Sequence, residues 1–168
     1  MKLQGLLGIS LTTLLDAERS ASGTIVNPIF GVPENLSSPE IFVVMSFEPS
    51  LRPIYEDHIK KVAIDLKLTV GRADDFFTAH AVIDDIWGAV YHSKLVVADC
   101  TGRNANVFYE IGMAHTVGKP VVLITQNETD VPFDLRSVRY IHYTYTPPGM
   151  KTFEDRLTKT LTGLSGRF

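Results

Sequence analysis

A single cysteine, Cys100, stands in 168 residues. That excludes a disulfide framework and a multi-cysteine zinc site, and it fits a reducing, cytoplasmic setting. A basic excess is also lacking, with 16 Lys+Arg against 19 Asp+Glu and a net charge of -3. This argues against a nucleic-acid partner gripped through its phosphates. No apolar run approaches the roughly 18–20 residues needed to span a bilayer, so no membrane partner is expected. The usual signature loops are absent as well. There is no G-x-G-x-x-G after the first apolar run, no Walker A loop and no G-x-S-x-G elbow. His58, His80, His92, His115 and His142 show no paired ligand spacing, so neither a metal nor a cofactor is implied.

What is present describes one globular domain preceded by an extension. Apolar residues make up 45% of the chain and charged residues 21%, which excludes a disordered tail. Met1 to Ala17 carries Leu3, Leu6, Leu7, Leu11, Leu14 and Leu15 at three- and four-residue spacing. That pattern is an amphipathic helix for packing on the domain or a partner protein, and it lacks the charge and cleavage site of a signal peptide. Ser20 to Pro39 reads as a linker anchored by Ile25, Val26, Ile29 and Phe30. The expected division is therefore 1–39 for helix and linker and 40–168 for the domain.

From Ile41 onward, short apolar runs alternate with helical patterns. Strands are expected at Ile41–Phe47, Leu68–Val70, Leu95–Ala98, Val121–Thr125 and Arg139–Tyr145. Helices are expected after Pro53, at Ala81–His92, at Asn106–Val117 and at Thr152–Leu164. Continuous rather than alternating apolar strands mean a parallel sheet covered on both faces. Five such strands predict a doubly wound, flavodoxin/Rossmann-like α/β fold with order 2-1-3-4-5. Ligands in such sheets bind beyond the carboxyl ends of the strands, where the order reverses. That rule selects Met45-Ser46-Phe47-Glu48 after strand 1 and Asp99-Cys100-Thr101-Gly102-Arg103-Asn104 after strand 3.

The second of those segments runs straight into a helix. The first N–H groups of that helix, at about Asn106, are free to hold an anion, and Arg103 adds a fork suited to phosphate. Glu110 lies about one turn inside, followed by Gly112. A mid-helix glycine costs roughly 1 kcal/mol against alanine, so close approach of the sheet or of a ligand is expected there. Blander readings hold elsewhere. Cys100 reads as a small buried hydrophobe ahead of a reactive thiol, Trp87 as a core or subunit-contact residue ahead of a base-stacking one, and Glu48 as a solvated loop charge. Asp74 and Asp75 are expected to cap the segment after strand 2 or to reach the pocket, and Tyr140, Tyr143 and Tyr145 to form a strand with a partly wet face.

The run N-V-F-Y-E-I-G-M-A-H-T-V-G-K-P, with I-D-D-I-W-G-A-V-Y-H-S-K-L-V-V-A-D upstream, resembles the nucleoside 2-deoxyribosyltransferase-like superfamily. The resemblance covers roughly Ile41 to Thr125. The loop T-G-R-N-A-N-V-F-Y-E is similar to a bacterial branch of defence effectors, possible antiviral proteins. Lys94 departs from the strand pattern, and Asn104 stands where several members place an Asp. The resemblance implies cleavage or transfer at the N-glycosidic bond of a nucleoside, nucleotide or NAD. Glu110 takes the nucleophile's position, and Asp85 or its neighbour Asp84 that of the acid assisting the base. Ser46, Phe47, Asp99, Thr101, Gly102, Arg103, Asn104, Asn106, Tyr109 and Gly112 are then the expected substrate-binding set. It also implies a homo-oligomer.

The chemistry is coherent from the residues alone. Breaking a C1′–N bond builds oxocarbenium-like charge, which a nearby carboxylate stabilises or captures. A protonated second carboxyl can donate to the departing base, while a cationic nicotinamide needs no proton. The alternatives are a catalytically silent nucleotide-binding sensor and an assembly module on the same fold.

Overall fold

The computed structural model describes residues 29–33, 38–75 and 82–165. The expected Met1–Ala17 helix, most of the Ser20–Pro39 linker and the start of the Ala81 helix lie outside the described residues. Within them, five parallel strands form one sheet: β1 (Ile41–Val44), β2 (Val70–Arg72), β3 (Leu95–Asp99), β4 (Val121–Thr125) and β5 (Tyr140–His142). Their order is β2-β1-β3-β4-β5, as the strand count and crossover rule predict. The connecting helices are α1 (Lys60–Asp65), α2 (Val82–His92), α3 (Ala105–Thr116) and α4 (Pro147–Ser165). No helix among the described residues is long and apolar enough to cross a membrane.

The strands are apolar throughout because both faces are covered. Ile41, Val43, Leu95, Val97 and Ile124 pack with Tyr55, Ile59, Phe153 and Leu157, from the side of α1 and α4. Phe42, Val44, Val96, Ala98 and Leu123 pack with Val90, Val107 and Ile111, from the side of α2 and α3. The two-residue period of a strand assigns neighbours to opposite faces. Each large side chain so buried stabilises the fold by roughly 1.5–3 kcal/mol relative to exposure. Trp87 belongs to this core at 3% exposure, and its Nε1 donates to the Gly31 carbonyl at 3.0 Å. Its ring also meets Phe30, so the linker is anchored to α2 as expected for Phe30.

Several element boundaries differ from expectation, each for a local reason. β2 begins at Val70 rather than Leu68, because Lys67 turns the chain with φ 59 and pairing to β1 starts at Ile41–Val70. That shift carries Gly71 and Arg72 into the strand. α3 begins at Ala105, one residue before Asn106, because the Asn104 side chain accepts from the Asn106 N–H and caps it. α4 begins at Pro147 rather than Thr152, since proline is tolerated in a helix's first turn. β5 ends at His142, and Tyr143 beyond it is buried rather than on a wet face.

Candidate functional site

β1 and β3 are neighbours in the sheet, and the chain leaves them toward opposite sides. The two segments that follow therefore border one crevice. Asn104 ties them together: its Nδ2 donates to Ser46 Oγ at 3.4 Å, while its Oδ1 caps α3 at 2.9 Å. The Glu48 N–H also donates to Ser46 Oγ, at 3.3 Å. A cavity of about 290 Å³ opens at this point. Ser46, Phe47, Asn104, Asn106, Tyr109 and Glu110 line it, six of the residues read from the sequence.

Glu110 faces this cavity from the second turn of α3. It makes no hydrogen bond or ion pair among the described residues. Partial burial without a compensating donor disfavours the charged form and pushes its carboxyl up to about 7. It is the sole carboxyl among the described lining residues, which are otherwise largely apolar. From α2 the wall is made by Ile83 and Ile86, while Asp84 and Asp85 do not line it. Asp84 is exposed and Asp85 half-buried.

The remaining expected binding residues sit around the crevice rather than in it. Asp99 is fully buried, and its carboxylate accepts from the Tyr143 hydroxyl at 2.6 Å and from the Thr101 N–H and Oγ1 at 2.9 and 2.5 Å. Burial pushes its carboxyl above the usual range, against the opposing hydrogen bonds. Thr101 Oγ1 in turn accepts from the Gln126 N–H at 2.9 Å. Gly102 turns at φ 77, where a side chain would be strained, and donates its N–H to Asp130 at 2.9 Å. Arg103 follows, exposed, at φ 56. These residues fold the loop onto the β4 end, which fixes Asn104. Gly112 is exposed, and a Cβ there would meet nothing within 4 Å among the described residues, so the sheet does not approach it closely.

Lys119, Asp74 and Asp75 hold the structure around the crevice. Lys119, after α3, donates Nζ to the Tyr91 carbonyl at 3.0 Å and to that of Ser93, closing the end of α2. Asp74 does not cap a helix; it accepts from Arg72 Nε at 2.5 Å and from Nη2. Asp75 accepts from the Arg72 N–H at 3.0 Å and from the Tyr55 hydroxyl. Arg72 itself lines the cavity, and the sequence reading misses it because the expected strand stops at Val70. The signal was an arginine closing the apolar run L-T-V-G-R. Cys100 is fully buried, and its thiol is pushed up to about 12 by burial and by Asp99, so it is inert packing. Among the described residues no three His, Cys, Asp or Glu converge as metal ligands. A larger depression, about 820 Å³, lies between β5 and α4 and shares no lining residue with the Glu110 cavity.

At the level of sequence, no family model and no curated protein matches this chain. Solved structures do match its fold. The 2-desoxiribosyltransferase from Leishmania mexicana superposes with TM-score 0.52 at 12% identity, over 68% of this chain and 96% of that one. A CMP N-glycosidase from Clostridium botulinum gives 0.54 at 17% identity, over 70% and 95%. The TIR domain of a Toll-related receptor from Hydra magnipapillata gives 0.60 at 10% identity, over 76% and 99%. The fold is shared with a desoxiribosyltransferase, an N-glycosidase and a receptor domain alike.

Proposed function

We propose that this protein cleaves the N-glycosidic bond of a nucleoside or nucleotide, or passes its sugar to a second base, with Glu110 as nucleophile. The observation that carries this reading is the Glu110 carboxyl, desolvated and without a partner in the switch-point cavity. As the C1′–N bond breaks, its electron pair leaves with the base and a Glu110 oxygen bonds to C1′. Water or a second base then attacks C1′, the pair returns to the carboxylate, and the attacking group's proton passes to the solvent or the departed base. A carboxyl at about 7 populates both protonation states near neutrality, and the ionised one attacks.

The likeness of fold to the Leishmania and Clostridium enzymes supports this reaction class. The cavity, about 290 Å³, is at the small end of the ~300–1,000 Å³ typical of ligand sites. It suits a single nucleoside unit, so the second half of NAD would extend outside it. A proton from Asp85 or Asp84 would have to come from beyond the described lining, where Ile83 and Ile86 form the α2 wall. A nicotinamide leaving group, already cationic, would need none.

The test is chromatography after incubation with nucleosides, nucleoside monophosphates and NAD. We expect free base from at least one of them, falling at least 10³-fold in Glu110→Gln while the circular-dichroism spectrum is unchanged. No base from any substrate overturns the reading. The likeness to the Hydra receptor domain favours a second reading, a silent ligand-binding or assembly module. In that case a nucleotide raises Tm, no product forms, and Glu110→Gln changes neither.

A further inference from the structure

Arg72 is 3% exposed, and the Glu110 cavity is partly its own surface. Two of its guanidinium nitrogens are committed to Asp74. The third, Nη1, is buried with no hydrogen-bond partner. Buried donors are almost always paired, so an orphan on a residue that lines the cavity is a candidate donor for a ligand atom. The guanidinium is held in place by two aromatic rings, with its carbon 5.0 Å from the Tyr55 ring centre and 5.3 Å from that of Phe47. Phe47 is 61% exposed, so the face of its ring away from Arg72 is open to solvent.

Charge decides what the ligand atom is. Asp74 already neutralises Arg72, and Asp75 adds a second carboxylate on the Arg72 backbone N–H. The unused resource is therefore a hydrogen-bond donor and not a net positive charge. A phosphate dianion would meet two aspartates here, whereas a neutral carbonyl oxygen would meet only the donor. The adjacent Phe47 ring offers a stacking surface to a flat heterocycle.

We propose that Arg72 Nη1 donates to a carbonyl oxygen of the nucleobase stacked on Phe47, so that the site selects bases carrying a carbonyl acceptor. This deepens the glycosidic reading and rests on it. When the C1′–N bond breaks, the electron pair spreads onto that oxygen, and Arg72 stabilises it there. Such a contact substitutes in part for a proton donor in a cavity whose described lining carries no second carboxyl.

The test is binding of free bases to the full chain, followed by NMR titration. Two pairs differ in the carbonyl: hypoxanthine against purine, and uracil against pyrimidine. The wild type is expected to bind a carbonyl base at least tenfold more tightly than its counterpart in at least one pair, because a built donor left unpaired penalises the analogue. Arg72→Met combined with Asp74→Asn, which leaves no unpaired aspartate, should reduce that preference below twofold with the carbonyl-free base little changed. A purely structural role would weaken both members of a pair alike. Glu110→Gln should keep the preference while abolishing base release, so loss of one reading is separable from loss of the other. Absence of a tenfold preference in both wild-type pairs overturns the inference whether or not the variants fold.

Discussion

Glu110 is uncomfortable in its folded surroundings, and that discomfort is measurable. Its folded pKa of about 7 lies above the ordinary 4.5, so the folded state binds more protons than the unfolded state between these values. Stability from this group is complete below about 4.5 and falls as pH rises through about 7. Glu110→Gln, which cannot ionise, should therefore raise Tm at pH 8 by several degrees and leave it nearly unchanged at pH 4. The corresponding free energy is on the order of 1–2 kcal/mol for a partly solvated group. Differential scanning calorimetry at both pH values checks this, and an equal shift at both would contradict it. Catalysis should run the opposite way. If the carboxylate attacks, kcat/KM climbs with pH through about 7, and a pH–rate profile falling across that range would contradict nucleophilic attack.

At the scale of elements, α3 performs two tasks from its first turn. Asn104 caps the helix and holds Ser46 on the neighbouring strand end. Asn104→Ala should cost about 1 kcal/mol by urea denaturation from the lost cap alone. Asn104→Asp, which still caps, should retain most of that stability. Further along, Gly112 sits in the helix with open space where a Cβ would go. Gly112→Ala is expected to stabilise the protein by roughly 0.5–1 kcal/mol. A destabilised Gly112→Ala would show that another surface packs against this face of α3.

The whole molecule depends on a buried polar knot beneath the β3–α3 loop. Tyr143, just beyond β5, reaches Asp99 at the end of β3, and Thr101 links that carboxylate to Gln126 after β4. Three strand ends are so held in register behind the crevice. Tyr143→Phe removes one donor from a fully buried carboxylate and should destabilise by about 1–3 kcal/mol, read from thermal or urea unfolding. A shift under 0.3 kcal/mol would mean that the knot carries little of the fold.

The sheet was legible from the start because its code is local. Unbroken apolar runs such as I-F-V-V and V-V-L-I-T can be strands only if both faces are covered, and the crossover rule then sets their order. The place of the crevice followed from that order, and the E-I-G-M-A run put Glu110 beside it, where the cavity lining includes it. Tertiary structure alone decided which polar residues share the crevice. Asp99 and Gly102 look like ligand groups in the sequence, yet hydrogen bonds from Tyr143 and to Asp130, 44 and 28 positions away, turn them to structural work. Asp84 and Asp85 lose their place on the wall to Ile83 and Ile86, because the helix presents its apolar side to the cavity. Arg72 gains its place because a turn at Lys67 delays β2 by two residues and delivers the guanidinium to the strand's end. Burial, partnership and strand register arise between segments distant in the chain, and neither spacing nor composition encodes them.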